Sequence, residues 1–160
     1  MLLSHSNCRS ETIGAFRTFE KACPVRSPSV RQSWARERNF CQICGISGGL
    51  AAMHRWPGLE THHLIKTGRS DEGTNFLRLC SRDHRLAEGH QIRENGIVLP
   101  KLTLGNCLWA KSLRDPKEFD PVRLEKLYHR PLPDLEVIPE FFLLEWQRHQ
   151  GFAFDQSFAA

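Results

Sequence analysis

Glu60-Thr61-His62-His63-Leu64-Ile65 is the stretch whose reading decides the fold. Adjacent histidines on an alternating apolar segment indicate a strand, and a strand sends successive side chains to opposite faces. His62 and His63 then diverge unless a bulge or the strand end turns both toward one site. Turned together, two imidazoles divide the labour, one holding a metal ion and the other accepting a proton.

Working outward, residues 66–74 form a polar loop with turn residues at both ends, and residues 75–80, Asn-Phe-Leu-Arg-Leu-Cys, return as a short strand. Ser81 fits an N-cap, with a helix over 82–88 and Gly89 as its stop. The result is strand, loop, strand, helix, a ββα unit of the size that wraps a single ion. Upstream, 30–39 suits a short helix with Val30 and Trp34 on one face. Cys41-Gln42-Ile43-Cys44-Gly45 is a tight thiolate turn, since two intervening residues let both sulfurs reach one ion. A redox pair is the other meaning of such a turn, but it should open a helix after a buried strand, and Gly45, Gly48 and Gly49 follow instead. The segment 46–58 reads as a Gly-rich loop holding His54.

Downstream, 96–99 looks like a strand ended by Pro100, and 102–113 like a helix despite Gly105. Asp120-Pro121 marks a helix start, and 139–150 carries Phe142, Leu143 and Trp146 as an apolar stripe for core packing. Residues 1–29 mix Ser, Pro, Cys and Arg without periodicity and read as disordered; 151–160 reads as a flexible tail. The expected division is a domain over 30–95 and a mainly helical extension over 96–150.

The chain has 160 residues, 40 % of them hydrophobic, which fits one domain with extensions. No apolar run approaches the roughly 20 residues needed to cross a bilayer, and residues 1–5 lack a signal peptide's start, so the expected location is cytoplasmic, away from membranes. Cysteines at 8, 23, 41, 44, 80 and 107 then read as thiols or metal ligands rather than disulfides; Cys8, Cys23 and Cys107 have no partner pattern. Residues 1–114 hold 17 Lys and Arg against 9 Asp and Glu, while 115–160 hold 5 against 9. The basic part carries the histidines, and a polyanion such as nucleic acid suits it.

Cys41-x-x-Cys44, Glu60-x-His62-His63, Asn75 and Leu79-Cys80-x-x-Asp83-His84 stand in an order that resembles the HNH endonuclease family over roughly residues 36–90. Asn75 lies twelve residues after His63, and His84 nine after Asn75. The resemblance implies an α+β protein: a small ββα-metal core that hydrolyses DNA phosphodiesters, supported by a zinc knuckle, with a helical C-terminal extension packed on it. It makes His62 a ligand of one catalytic divalent cation (Mg²⁺, Mn²⁺ or a transition metal) and His63 the general base. Asn75 would orient His63 or the metal site, and His84 would be the second ligand. Glu88, one helical turn on, shares a face with His84 and supplies an oxygen where the family often has a further His; His90 is a weaker substitute. The expected geometry is a pocket beside Asn75 on which His62, His63 and His84 converge.

For the structural Zn²⁺ the resemblance implies Cys41, Cys44 and Cys80. Asp83 stands where the family has Cys or His; a carboxylate oxygen does bind zinc, and His54 competes as the fourth ligand. Lys66, Arg69, Arg78, Arg82 and Arg85 flank the site in sequence and are candidates for holding phosphates of double-stranded DNA. Family members of this size serve phage packaging, restriction, mobile introns and toxins. The alternative function is a catalytically inactive zinc module binding nucleic acid or a protein partner, for which the three thiolates, Asp83 and a basic face suffice.

Overall fold

The computed structural model describes residues 29–51, 58–67 and 70–150. Of the segment 1–29 expected to be disordered, residues 1–28 lie outside the described residues, as do the tail over 151–160, His54 and Arg69.

The centre is an antiparallel pair, β1 (Leu59–His63) and β2 (Phe76–Cys80), in continuous register from Leu59 opposite Cys80 to His63 opposite Phe76. Asn75 ends a 3-10 turn over Gly73–Asn75 rather than opening the strand. α3 (Ser81–Ala87) follows β2 at once, with Cys80 as its N-cap, one residue earlier than Ser81, and packs back on both strands. The ββα order read from the sequence is therefore present, within a mixed α+β architecture.

Two elements fix the flanks of this pair. α1 (Val30–Arg36) is nucleated by a capping box between Ser29 and Gln32 and buries Trp34, whose ring meets Phe76 at 5.3 Å. Its pattern predicts a helix to 39, but it ends at Arg36. The thiolate turn after it closes through Cys41 N–H to Ile46 C=O (2.8 Å) and Gly45 N–H to Cys41 C=O (2.9 Å), with Gly45 at φ +78°. Gln42 then covers the outer edge of β2: its N–H donates to Arg78 C=O and its Oε1 accepts from Arg78 N–H, both at 2.7 Å. That pairing satisfies edge groups that would otherwise be exposed to a further strand. A single turn, α2 (Gly48–Ala51), occupies part of the expected loop.

Beyond α3 the chain makes a small hairpin, β3 (Arg93–Glu94) with β4 (Ile97–Val98), where the sequence suggests one strand. Asn95 (φ 48°) and Gly96 (φ 82°) form its two-residue turn, the conformation an Asn-Gly pair favours. α4 (Leu104–Arg114) starts with a second capping box, Thr103 with Asn106. α5 (Pro121–Tyr128) is capped by Asp120 and α6 is Glu140–Gln150. One apolar cluster joins all of this, taking Ile43 from the thiolate turn, Leu77 and Leu79 from β2, Leu86 from α3, and Leu108, Leu124 and Phe142 from α4, α5 and α6. Among the described residues no helix is long and apolar enough to cross a membrane.

Candidate functional site

Because the β1–β2 ladder is unbroken, side chains alternate. Glu60 and His62 face α3, whereas Thr61 and His63 face the side where α1 lies. The bulge that would have turned both histidines inward is absent. His62 and His84 do converge, their rings 5.0 Å apart, and one ligand atom each from His62, His84 and Glu88 lies within 4.8 Å of the others. His63, last residue of β1, packs its ring edgewise on Phe76 at 5.2 Å, and its Nε2 lies 3.1 Å from Asp71 Oδ1. The two adjacent imidazoles thus leave the strand end on opposite faces, His62 toward His84 and His63 toward Phe76, with His63 still close enough to act on the charge of His62.

The His62–His84–Glu88 group could hold a cation. His62 is buried with its Nδ1 unpartnered, and burial, followed by the charge of His84, lowers its pKa to about 3, so the imidazole keeps its lone pair at any ordinary pH. His84 is aimed from behind: its Nδ1 is 2.6 Å from Glu60 Oε2, while its Nε2 points toward Glu88 Oε1 at 3.6 Å. A carboxylate on the remote nitrogen fixes the tautomer that leaves Nε2 free as a donor to an ion. Glu88 also meets Lys66 Nζ at 3.3 Å. Two imidazole nitrogens and one carboxylate oxygen fit a divalent cation. His90 is exposed and outside the group.

Asn75 has a different role from the one expected. It is fully buried, and its amide accepts from Ile65 N–H (2.8 Å) and donates to Ile65 C=O (3.0 Å) and Ser70 C=O (3.1 Å). Those bonds, with Leu64 N–H to Asn75 C=O (2.9 Å), close the loop between β1 and β2. The amide touches neither His63 nor the ligand group; it sets where the chain turns after His63.

The second group is Cys41, Cys44, Cys80 and Asp83, all buried, with one ligand atom each within 4.8 Å of the rest; these four could hold a metal ion. Burial drives the Asp83 carboxyl up to about 8, aided by the Cys41 charge. Burial also opposes charge on Cys41, yet hydrogen bonds from Cys44 and Cys80 overcome it and hold that thiol well below its usual range, while Cys44 and Cys80 are pushed up. Four acidic groups compressed into one dry site bear little negative charge together, and a bound cation removes that conflict. Three sulfurs and one oxygen match zinc. Asp83 presents Oδ2 to Cys41 Sγ (3.2 Å) while Arg82 Nε holds Oδ1 at 2.8 Å. Cys107 is buried nearby, its thiol raised to about 12 by burial and the Asp83 charge, but it is not in the group.

The candidate phosphate contacts fall into three sets. Arg82 departs from expectation: it is 8 % exposed and its guanidinium is consumed by Asp83 and by Glu145 (3.0 and 2.5 Å), leaving no edge for a ligand. Its place in the sequence, beside Asp83, carries no sign of Glu145 on α6. Arg85 and Lys66 are exposed, on α3 and just after β1. Arg78 is half-buried, bonding Thr61 Oγ1 at 3.2 Å; burial and then the charge of Arg31 lower its pKa. Sequence reading missed the roles of Glu60 and Asp71, although a Glu two residues before a His pair is the only local signal either offers. Comparison with family models, curated proteins and solved structures finds no match to this chain.

Proposed function

We propose that the chain is a metal-dependent endonuclease that hydrolyses DNA phosphodiester bonds, with the ββα unit as its nuclease core. The observation that carries this reading is the meeting of His62, His84 and Glu88 within 4.8 Å at the strand end where His63 stands. The ordered resemblance of residues 36–90 to the HNH endonuclease family supports it.

In this reading His62, His84 and Glu88 hold the catalytic cation, which when bound neutralises charge on the phosphate and on the leaving oxygen. Glu60 keeps His84 in the donating tautomer. His63 takes one proton from the attacking water as the oxygen–phosphorus bond forms and the bond to the leaving oxygen breaks. Asp71 is exposed and accepts from Nε2–H, which leaves the proton-accepting lone pair on Nδ1 of His63. With Asn75 committed to the loop, the donors are two nitrogens and one oxygen. That set favours Mn²⁺ and later transition ions over Mg²⁺, which demands oxygen. Cys41, Cys44, Cys80 and Asp83 hold zinc and tie the thiolate turn to the start of α3.

Plasmid nicking across a metal panel with a chelator control tests this. His63→Ala should abolish nicking with Mn²⁺ while circular dichroism and zinc content stay those of the parent. Unchanged nicking by that variant removes the mechanism. One tightly bound zinc per chain, no weaker second site and no nicking would instead leave the binding module.

A further inference from the structure

A groove of about 600 Å³ runs along the outer edge of β1, lined among others by Arg31, Gln32, Glu60, Thr61, Arg78 and His84. Neither of its two arginines forms an ion pair among the described residues. Arg38 and Lys111 share Asp115, and Arg82 bridges Asp83 and Glu145. Arg31 and Arg78 bond only to the neutral oxygens of Thr61, Nη2 of Arg31 to its C=O and Nη1 of Arg78 to its Oγ1, both at 3.2 Å. Among the described residues no carboxylate pairs with either. Glu60, the one carboxylate in the groove wall, is turned to His84 at 2.6 Å.

Two guanidiniums held on one threonine, with no ion pair and only the longer-range pull of Glu60 on Arg78, make a site for an anion, and the planar fork suits phosphate oxygens. The groove wall holds both arginines and His84, so a phosphodiester chain can lie across all three where a small anion meets only part of it. We propose that Arg31 and Arg78 seat the sugar–phosphate backbone of DNA next to the phosphate presented to His84. This deepens the endonuclease reading and rests on it for the identity of the ligand. The exposed Arg31, on α1 upstream of the region that resembles nucleases, would then be part of the substrate track, and α1 more than a packing element.

Binding and cleavage are read separately. In a His63→Ala background, binding of a short fluorescein-labelled DNA duplex is followed by anisotropy across a salt series. Arg31→Ala should weaken it roughly tenfold and flatten the dependence of log K on log salt by about 0.9, one phosphate's worth. Arg31→Lys should restore the slope, and Arg36→Ala, on the same helix but outside the groove, should change neither. Arg78→Ala adds a second, similar decrement; because Arg78 is half-buried and its loss can disturb the strand pair, the exposed Arg31 decides the outcome. Unaltered affinity and slope in Arg31→Ala, or no duplex binding by the His63→Ala background protein, overturns the groove. Nicking by the native chain with Arg31-independent binding would sink the groove alone. An Arg31-dependent slope without nicking would sustain the groove and sink hydrolysis.

Discussion

At Asn75 one side chain closes the connection on which the site depends. Its amide makes three hydrogen bonds in a fully buried position, so Asn75→Ala strands Ile65 N–H and the carbonyls of Ile65 and Ser70. A buried group left unpaired costs about 1–3 kcal/mol, which puts the expected loss at roughly 3 kcal/mol in urea unfolding at neutral pH. A loss under about 1 kcal/mol would show that the loop is held by its backbone alone. In the proposed endonuclease, nicking should fall with it, since the turn after His63 loses its brace. The spacing of Asn75 to the histidines marks the residue in the sequence but not its partners, because Ile65 and Ser70 become neighbours only when the loop closes. Glu60 and Asp71 were hidden for a related reason. A carboxylate that aims an imidazole across 24 or 8 positions leaves no periodic trace.

Among the elements, α4 shows where helix propensity and packing oppose each other. Gly105 lies inside it, and replacing Gly by Ala within a helix ordinarily gains about 1 kcal/mol. Here a Cβ would stand 2.6 Å from Asp134 C=O and 3.0 Å from Glu136 Cγ. The opposing chain is pinned there, since Glu136 N–H donates to Gly105 C=O and Asn106 Nδ2 donates to the carbonyls of Glu136 and Val137. Gly105→Ala should therefore destabilise by about 1–3 kcal/mol, as overpacking does, with a lower Tm in calorimetry; a higher Tm would show that the 134–137 segment yields. The same helix was legible in outline, through its apolar spacing, though the capping box set its start at Leu104. Among elements of four residues or fewer, α2 and β3 are too short for a pattern, whereas β4 lies inside the strand expected over 96–99. α3 could be read to within one residue because Ser81 as a cap residue and Gly89 as a stop bound it.

Across the whole molecule, the C-terminal helices brace both faces of the ββα unit. On one side Arg114 reaches the carbonyls of Gln42 and Ile43, stacks 3.5 Å from the Trp146 ring, and is joined by His149 on Cys44 C=O and Gln150 on Gly45 C=O. This brace on the thiolate turn was invisible in sequence, where residues 96–150 showed only that they pack. On the other side Asp115 takes Arg38 through two bonds (2.8 and 3.0 Å) and the buried Lys111 at 2.5 Å, while Lys111 also donates to Gly73 C=O at 2.8 Å. Both cations lie over Trp34, which meets Phe76, which in turn meets His63, so this network reaches the candidate base. Burial opposes the Asp115 charge, but Arg38 and Lys111 outweigh it and hold its carboxyl below the usual range. A depressed folded pKa means that the unfolded chain binds the proton more readily, so this stabilisation is present at neutral pH and is lost as pH falls below about 4. Asp115→Ala, which leaves the Lys111 charge uncompensated at 0 % exposure, should cost about 3–5 kcal/mol at pH 7. Asp115→Asn keeps the shape and removes the titration, so its stability gap to the native chain should narrow as pH drops through the carboxylate range. A gap that stays constant from neutral to acid pH in urea unfolding would mean that the pairing around Asp115 contributes through packing and not through charge.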